Sequence, residues 1–369
     1  MMKEVEIEDD TESNGEENNG EYITNPFSTK DIKITNASIL LPSLINRLKH
    51  EEIGIPEFQR NSDLWTPKVM SRLIESILLK LPLPIFYFDV SDPDKWQVVD
   101  GLQRLSAIRR FFVDKDLRLK NLQFLIELNG KNYDDLERNF QRTIDETAFI
   151  TYQIEAQTPK EVRYSIFNRI NTGGTPLNAQ EIRQALNQGN GLQFLKEVCE
   201  NKIFKNIVGV DSKRMLDREL ALRFVAFQFI DYQHYNSMRE FLDAAMGKLS
   251  IQNTEQLEEL KNKIFNVLEF SEKILGTGHR FSRSISNKSN TQRLNQSLFD
   301  VLTVCFSEID NKDVFLRKKD IFMNKFKQLL QDEKGEFLNS ITLGTSAKSA
   351  IETRFRIIRG LIKEVLNEN

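Results

Sequence analysis

One short stretch of the sequence combines residue types that could bind a phosphate group. In WQVVDGLQRLSAIRRFF, residues 96–112, an apolar run predicts a strand, and later apolar residues at helical spacing predict a helix. Between them stand Asp100 and Gly101, which are turn formers. Such a junction leaves N–H groups unpaired at the helix start, where the helix dipole also favours an anion. Gln103 and Arg104 fall in that first turn, and a guanidinium matches phosphate oxygens. The alternative interpretation is an ordinary tight turn followed by a solvated arginine.

Histidine and cysteine are too sparse to form a conventional metal or redox site. The sequence has three histidines and two cysteines, none at ligand or redox spacing from another: His50, His234, His279, Cys199 and Cys305. This argues against zinc and against a nuclease of the ββα His-metal type. The sequence also has no apolar run approaching the roughly 18 residues of a membrane span, and no signal peptide is recognised. These features predict a reducing, cytoplasmic location and no membrane contact.

Charge is distributed unevenly along the 369 residues. Residues 1–29 carry nine acidic side chains against one lysine, a net charge of −8, so the remainder carries +5 of the total −3. The acidic segment has little to bury, and residues 1–30 are expected to form a disordered tail. A second biased region, between Glu272 and Asp300, has no acidic residue and contains Lys273, Arg280, Arg283, Lys288 and Arg293. This loop would contact the phosphate backbone of DNA without reading its sequence, or would simply be solvated.

Length and hydrophobic patterning predict two domains, a mixed α/β region over 31–190 and an α-helical domain over 191–369. In the first region, helices are predicted at 39–48, 67–81, 158–167 and 178–186, strands at 85–90, 96–99 and 148–154, an edge strand or extended arm at 53–60, and a hairpin at 125–130. In the second region, helices are predicted at 215–230, 238–249, 254–274, 295–306, 313–330 and 347–366.

Four ordered motifs carry a resemblance to a known family. They are IPEFQRNSDLW (55–65), LIESILLKLPLPIFYF (73–88), VVDGLQRLSAI (98–108) and FNRINTGGTPLNAQEIRQAL (167–186). Together they resemble the N-terminal domain of GmrSD-type restriction endonucleases, which is similar in turn to the ParB/sulfiredoxin superfamily. The resemblance implies an α+β chain, with a small ParB/sulfiredoxin-like α/β domain followed by the α-helical domain.

The resemblance implies nucleotide handling at the DGLQR turn. In GmrSD-like proteins an Asp-Gly-Gln-Gln-Arg motif is associated with NTP binding and hydrolysis, and this sequence matches it except that Leu102 replaces the first glutamine. Gly101 would let the backbone approach the phosphates, and Asp100 would hold Mg²⁺ or cap the helix. Arg104 would neutralise phosphate charge, and Gln103 would orient a phosphate oxygen or the attacking water.

Further ligand contacts are implied by the flanking motifs. Gln59 and Arg60 resemble a second Gln-Arg pair directed at the same pocket, with a surface salt bridge as the alternative. Asn168, Arg169 and Asn171 border the Gly-Gly loop and would close over the ligand. The base of the nucleotide and the oligomeric state are not implied.

The resemblance also excludes some activities of related proteins. Sulfiredoxins need a cysteine directly after the glycine, and Leu102 cannot act as a nucleophile. The Glu-Arg pair of the ParB CTP-binding motif is also missing, so cytidine specificity is not implied. Some GmrSD-like proteins carry a C-terminal His-Asn-His nuclease domain, for which this chain has neither the histidines nor the remaining length.

The expected function is nucleotide binding, as an NTPase sensor or regulator in prokaryotic DNA or phage defence. One alternative is a non-enzymatic protein that binds DNA or acts as a scaffold and keeps the fold without hydrolysis. The other is a DNA nickase or phosphodiesterase component of a restriction system, in which the same cluster of Asp100, Gln103 and Arg104 acts on DNA.

Overall fold

The computed structural model describes residues 28–54, 65–170, 178–187, 189–210, 214–286 and 293–368. The chain divides into two compact units, with the division between Asn178 and Ala179. The first contains the sheet and the second is helical, which confirms the predicted fold class. The domain boundary predicted from sequence lies further along the chain, between residues 190 and 191. Residues 1–27 of the predicted acidic tail lie outside the described residues.

The first unit alternates strands and helices. Its strands are β1 (Ile34–Leu40), β2 (Ile53–Gly54), β3 (Phe86–Asp89), β4 (Trp96–Asp100) and β5 (Ala148–Ile154). Its helices are α1 (Leu41–Lys49), α2 (Pro67–Leu78), α3 (Leu102–Ile108), α4 (Arg138–Glu146) and α5 (Lys160–Ile170), and α3 continues as a π-helical segment, Arg109–Val113. The strands at 85–90, 96–99 and 148–154 and the helices at 39–48, 67–81 and 158–167 are thereby confirmed, whereas β1 was not predicted.

The strands form one five-stranded mixed sheet in the order β1-β5-β3-β4-β2. The β1–β5 and β3–β4 pairs are antiparallel, and the β3–β5 and β2–β4 pairs are parallel. Phe86, Phe88 and Val98 point from one face into the main core of the unit, where they meet α1, α2 and α3. The extended segment predicted at 53–60 begins as β2, and its residues 55–60 lie outside the described residues.

Helix α2 packs against the sheet through the apolar stripe that its sequence predicts. Its predicted apolar stripe is buried at Met70, Ile74 and Ile77. Thr66 precedes it in an extended conformation, but its side chain makes no capping hydrogen bond within the described structure. The helix ends at Leu78, so Leu81 lies beyond it and is exposed rather than buried.

The hairpin predicted at 125–130 is wrong. This segment contains a 3-10 turn, Ile126–Leu128, and no strand among the described residues. The buried carboxylate of Glu75 on α2 accepts N–H groups from Gln123, Phe124 and Leu125 at 2.7–3.0 Å. These N–H groups are therefore not available to pair two strands. A buried carboxylate without donors would cost more free energy than an unformed hairpin, because the carboxylate is charged.

The second unit is built from helices around a phenylalanine-rich core. They are α6 (Ala179–Leu186), α7 (Asn190–Glu200), α8 (Lys202–Ile207), α9 (Leu216–Phe229), α10 (Met238–Ser250), α11 (Thr254–Leu275), α12 (Gln296–Ser307), α13 (Lys312–Arg317), α14 (Lys319–Gln331), α15 (Glu336–Ser340) and α16 (Lys348–Asn367). All residues of α12 from Ser297 to Phe306 are buried, so this helix is central to the unit. None of the described helices of the chain has the length and apolarity that a membrane span requires.

The six helices predicted in the second half are confirmed, with one difference, whereas α7, α8 and α15 were not predicted. The single helix predicted at 313–330 is divided between α13 and α14 at Lys318. No glycine or proline marks this break. The break coincides with a tertiary contact, in which the Lys318 ammonium donates to the carbonyl of Leu366.

Candidate functional site

The predicted strand–turn–helix junction is present, and a glycine makes it possible. Strand β4 ends at Asp100, Gly101 has φ +102°, and α3 begins at Leu102. A Cβ on Gly101 would lie 2.4 Å from the Phe86 ring, so the position needs glycine both for its backbone conformation and for space. The first α-helical hydrogen bond runs from the Leu105 N–H to the Gly101 carbonyl, which leaves the earlier N–H groups without helical partners.

Arg104 braces this turn against the segment just before β3. Its guanidinium donates to the carbonyls of Pro84 and Ile85 and to Asp100 Oδ2, the last at 2.7 Å. It also lies over the Phe86 ring, 4.4 Å from the centroid, and its side chain is 9% exposed. Burial lowers the pKa of the Arg104 guanidinium and the Asp100 carboxylate opposes that shift. A ligand phosphate would therefore have to share the guanidinium with Asp100 or displace it.

Asp100 and Gln103 are the accessible members of the motif. The Asp100 side chain is 35% exposed, and its second oxygen accepts no hydrogen bond from the described residues. Gln103 is half-buried, and its side chain has no hydrogen-bond partner in the part of the chain that the structure describes. The motif therefore combines a braced cation with a carboxylate oxygen and an amide that a ligand can reach.

The flanking motif residues are placed only in part. Asn168 and Arg169 lie at the end of α5, where the Arg169 side chain is exposed. Asn171 falls in 171–177, and Gln59 and Arg60 fall in 55–64, which lie outside the described residues. The structure therefore brings Asp100, Gly101, Gln103 and Arg104 together and does not test the others.

Helix α5 is attached to the sheet by an ion pair that sequence analysis missed. Arg163 Nη1 lies 3.1 Å from the buried Asp89 Oδ2 and 2.6 Å from Ser91 Oγ, and α5 packs against β4. The pair holds the helix that leads to the Gly-Gly loop on the end of β3, the strand that pairs with β4. An aspartate closing a β-rich run was the only local signal, and nothing in the sequence identified its partner.

The residues at the turn provide a weak set of metal ligands by themselves. Asp100 is one carboxylate, already paired with Arg104, and the described residues contain no cluster of three His, Cys, Asp or Glu side chains. Mg²⁺ is commonly held by one or two carboxylates plus substrate phosphates and water. Asp100 therefore fits Mg²⁺ only together with a bound nucleotide, whose phosphates would supply further oxygen ligands.

The basic residues of the second unit are not equally accessible. Lys273, in the last turn of α11, and Arg293 are exposed, and Arg283 is half-buried. Arg280 is 9% exposed, has φ +50°, and packs where a Cβ on Gly209 would overlap it. Burial lowers the pKa of Arg280, and its position prevents contact with a phosphate backbone unless the loop rearranges. Lys288 lies outside the described residues.

Comparison with known proteins finds a family model that matches part of the chain. Residues 41–187 match the family model described as GmrSD restriction endonuclease, N-terminal domain, and no nuclease-domain match accompanies it. No curated protein and no solved structure matches the chain. The matched segment begins at α1, ends just after α6, and includes the whole turn from Asp100 to Arg104. Over residues 41–187, therefore, this chain is similar to the N-terminal domain of GmrSD restriction endonucleases.

Proposed function

We propose that the chain works in a prokaryotic restriction or phage-defence system as a nucleotide-binding protein, an NTPase sensor or regulator whose site is the Asp100–Arg104 turn. The family match over 41–187 supports the biological setting. The observation that carries the nucleotide assignment is the Gly101 junction, where a buried strand turns into a helix beside an accessible carboxylate, an accessible amide and a braced arginine.

Each residue of the turn has a role that its surroundings support. Gly101 adopts the backbone conformation that ends β4 and begins α3, and the free N–H groups at the start of α3 would donate to the phosphates. Gln103, which has no partner in the described structure, is placed to orient a phosphate oxygen or the attacking water. Arg104 donates to Asp100 and would share its guanidinium with a bound phosphate.

The remaining contacts rest on the family resemblance, since Gln59, Arg60 and Asn171 lie outside the described residues. Gln59 and Arg60 would supply a second amide and a second guanidinium, and Asn168, Arg169 and Asn171 would close over the ligand. Mg²⁺, held by Asp100 and the phosphates, would neutralise the charge that develops during hydrolysis.

The decisive experiment measures phosphate release from a panel of NTPs with Mg²⁺, with and without duplex DNA. Gln103→Ala is the most informative variant, because this side chain braces nothing in the described structure. It should lower turnover by roughly 10²-fold with the fold unchanged. Gln123→Ala, a change at an exposed glutamine of the same unit, is the matched control. If no NTP is bound or hydrolysed, or if both variants behave alike, the site assignment fails.

A non-enzymatic DNA-binding or scaffold protein is the second candidate, and one observation favours it. The Arg104 guanidinium donates to three protein oxygens, the carbonyls of Pro84 and Ile85 and the carboxylate of Asp100, as expected of an arginine that holds the turn. DNA would then contact Lys273, Arg283, Lys288 and Arg293. Replacing all four with glutamine should flatten the slope of log affinity for duplex DNA against log salt concentration, by about 0.9 for each phosphate contact that is lost. Metal-independent DNA binding without phosphate release would support this candidate.

A further inference from the structure

The two edges of the sheet are very different. Strand β2, at one edge, pairs with β4 over only Ile53–Gly54. Strand β1, at the other edge, pairs with β5 over all seven residues from Ile34 to Leu40, and no described strand pairs with its outer side. A short edge strand offers little to a partner, whereas a long one presents a row of unpaired backbone groups.

The hydrogen bonds at both ends of β1 show which groups face outward. The Leu41 N–H donates to the Thr147 carbonyl, and the Glu155 N–H donates to the Lys33 carbonyl. In an antiparallel pair, alternate residues bond to the partner, so the odd-numbered residues of β1 bond to β5. The N–H and C=O groups of the even-numbered residues therefore point away from the sheet. These residues, Ile34, Asn36, Ser38 and Leu40, are all exposed.

Strand β1 carries none of the usual protections of an edge. Its sequence, ITNASIL, has no charged residue and no proline, and its register with β5 is continuous without a bulge. Its two outward apolar side chains are well exposed, 43% at Ile34 and 50% at Leu40. Natural edge strands are normally blunted by lysine, proline or a bulge, so an unprotected edge of this length is suited to pairing.

We propose that β1 pairs antiparallel with β1 of a second copy of this chain, joining the two five-stranded sheets into one. A two-fold axis through Ala37 lets the even-numbered residues bond to each other and, unlike an axis through Asn36 or Ser38, pairs all seven residues of the strand. It places Ile34 opposite Leu40 of the other copy, and Asn36 opposite Ser38.

The strand is complementary to itself in this register. Among the exposed even-numbered residues, the apolar Ile34 meets Leu40 and the polar Asn36 meets Ser38. On the other face Thr35 lies opposite Ile39, and the small Ala37 lies on the axis. Because ITNASIL is uncharged, no like charges oppose each other across the axis, a contact that destabilises antiparallel pairs. These properties favour a second copy over an unrelated strand.

The register predicts a specific cross-link. At the axis, the two Ala37 residues form a non-hydrogen-bonded pair with Cα atoms about 4.5 Å apart, within the range of a disulfide. The two Asn36 residues would lie about 8 Å apart, beyond that range. Under oxidised glutathione, Ala37→Cys should form a disulfide-linked dimer and Asn36→Cys should not. The native Cys199 and Cys305 are buried and do not compete. Cross-linking of both variants, or of neither, contradicts the proposed register.

Sedimentation of the unmodified full chain over a concentration series provides an independent test. A reversible dimer is expected, and Ser38→Lys should raise its dissociation constant roughly tenfold or more, because edge lysines oppose strand pairing. Ile150→Lys is the matched control, since Ile150 is exposed on β5 beside β1 but contributes no outward backbone group. A chain that stays monomeric, or a dimer that both variants affect equally, overturns the proposal. A monomer would also be the result if β1 serves a strand of another protein.

Discussion

The two units of the molecule each contain a buried arginine paired with an aspartate, and the pairs differ in one respect. In the helical unit, Arg223 binds Asp300 through two parallel bonds, Nε to Oδ1 at 2.9 Å and Nη2 to Oδ2 at 2.6 Å, and the side chains are 6% and 0% exposed. In the sheet unit, Arg104 makes one contact with Asp100, and the aspartate is 35% exposed. The first pair is closed to a ligand, whereas the second is open on its carboxylate side.

The surroundings reinforce this difference. Arg354 lies 3.8 Å from Asp300, and Glu219 lies 3.8 Å from Arg223, so the helical pair belongs to a wider charge network. Burial opposes the charge of Arg223, but Asp300 outweighs it and the pKa of Arg223 is raised. For Arg104 burial prevails and the pKa is lowered. Full enclosure of both partners therefore indicates a structural pair, and a half-open pair is the one suited to binding.

The largest effect is expected when the closed pair is broken. Asp300→Asn leaves the buried guanidinium of Arg223 without its counter-charge, next to a second arginine. Removing one member of a buried ion pair costs roughly 3–5 kcal/mol. Denaturant unfolding should show a loss of this size, and a loss under 1 kcal/mol would mean that water or a rearranged Glu219 compensates for the missing carboxylate.

The same substitution in the open pair should change stability little and phosphate release strongly. Asp100→Asn keeps an acceptor for Arg104, and because Asp100 is partly solvated, the stability change should stay under about 1 kcal/mol. If the turn is an NTPase site, phosphate release should fall by about 10²-fold while nucleotide binding is partly retained. The free energy of unfolding and the turnover of both variants should be measured in parallel. If Asp100→Asn were the more destabilising change, the distinction between a closed and an open pair would be wrong.

Some features of the two units could be predicted from the sequence, and others could not. Local periodicity predicts elements well, as at α11, where helix predicted at 254–274 is observed at Thr254–Leu275. It predicts the DGLQR junction as well, because strand, glycine and helix are adjacent in sequence. It could not predict that Arg104 would bond to the carbonyls of Pro84 and Ile85, since nothing local distinguishes one carbonyl from another. The burial of Arg280 escaped prediction for the same reason, because it depends on the space left at Gly209.

A third carboxylate tests whether backbone donors can replace an arginine. Glu75 is buried, and although burial alone would raise its pKa, the N–H groups of Gln123, Leu125 and Phe124 lower it below the ordinary value. A lowered pKa in the folded state stabilises the protein above the unfolded-state pKa of about 4.3, and this stabilisation is lost as the pH falls through the folded-state pKa.

Glu75→Gln should therefore cost about 1–2 kcal/mol near pH 7, and less as the pH falls below about 4.3. Glu127→Gln, at an exposed glutamate of the adjoining 3-10 turn, is the control and should change little at any pH. Urea unfolding of the three proteins across pH 3–7 measures the difference. A cost that does not vary with pH would show that the Glu75 charge plays no part in holding the 123–125 segment.

The smallest effect is expected at a surface pair that has the geometry of the closed pair but not its burial. Arg359 binds Glu308 through two bonds, Nε to Oε2 at 2.9 Å and Nη2 to Oε1 at 2.7 Å, and the side chains are 39% and 42% exposed. Glu308 raises the pKa of Arg359 against the opposing effect of burial, but solvent screens a pair this exposed. Glu308→Gln should lower the free energy of unfolding by no more than about 1 kcal/mol, because the arginine left behind is hydrated and still lies over the Tyr232 and Phe355 rings. This cost should shrink further at high salt. Unfolding of this variant at low and at 1 M salt, beside Asp300→Asn, separates two-bond geometry from burial. Equal losses in the two variants would show that geometry rather than enclosure stabilises these arginine–carboxylate pairs.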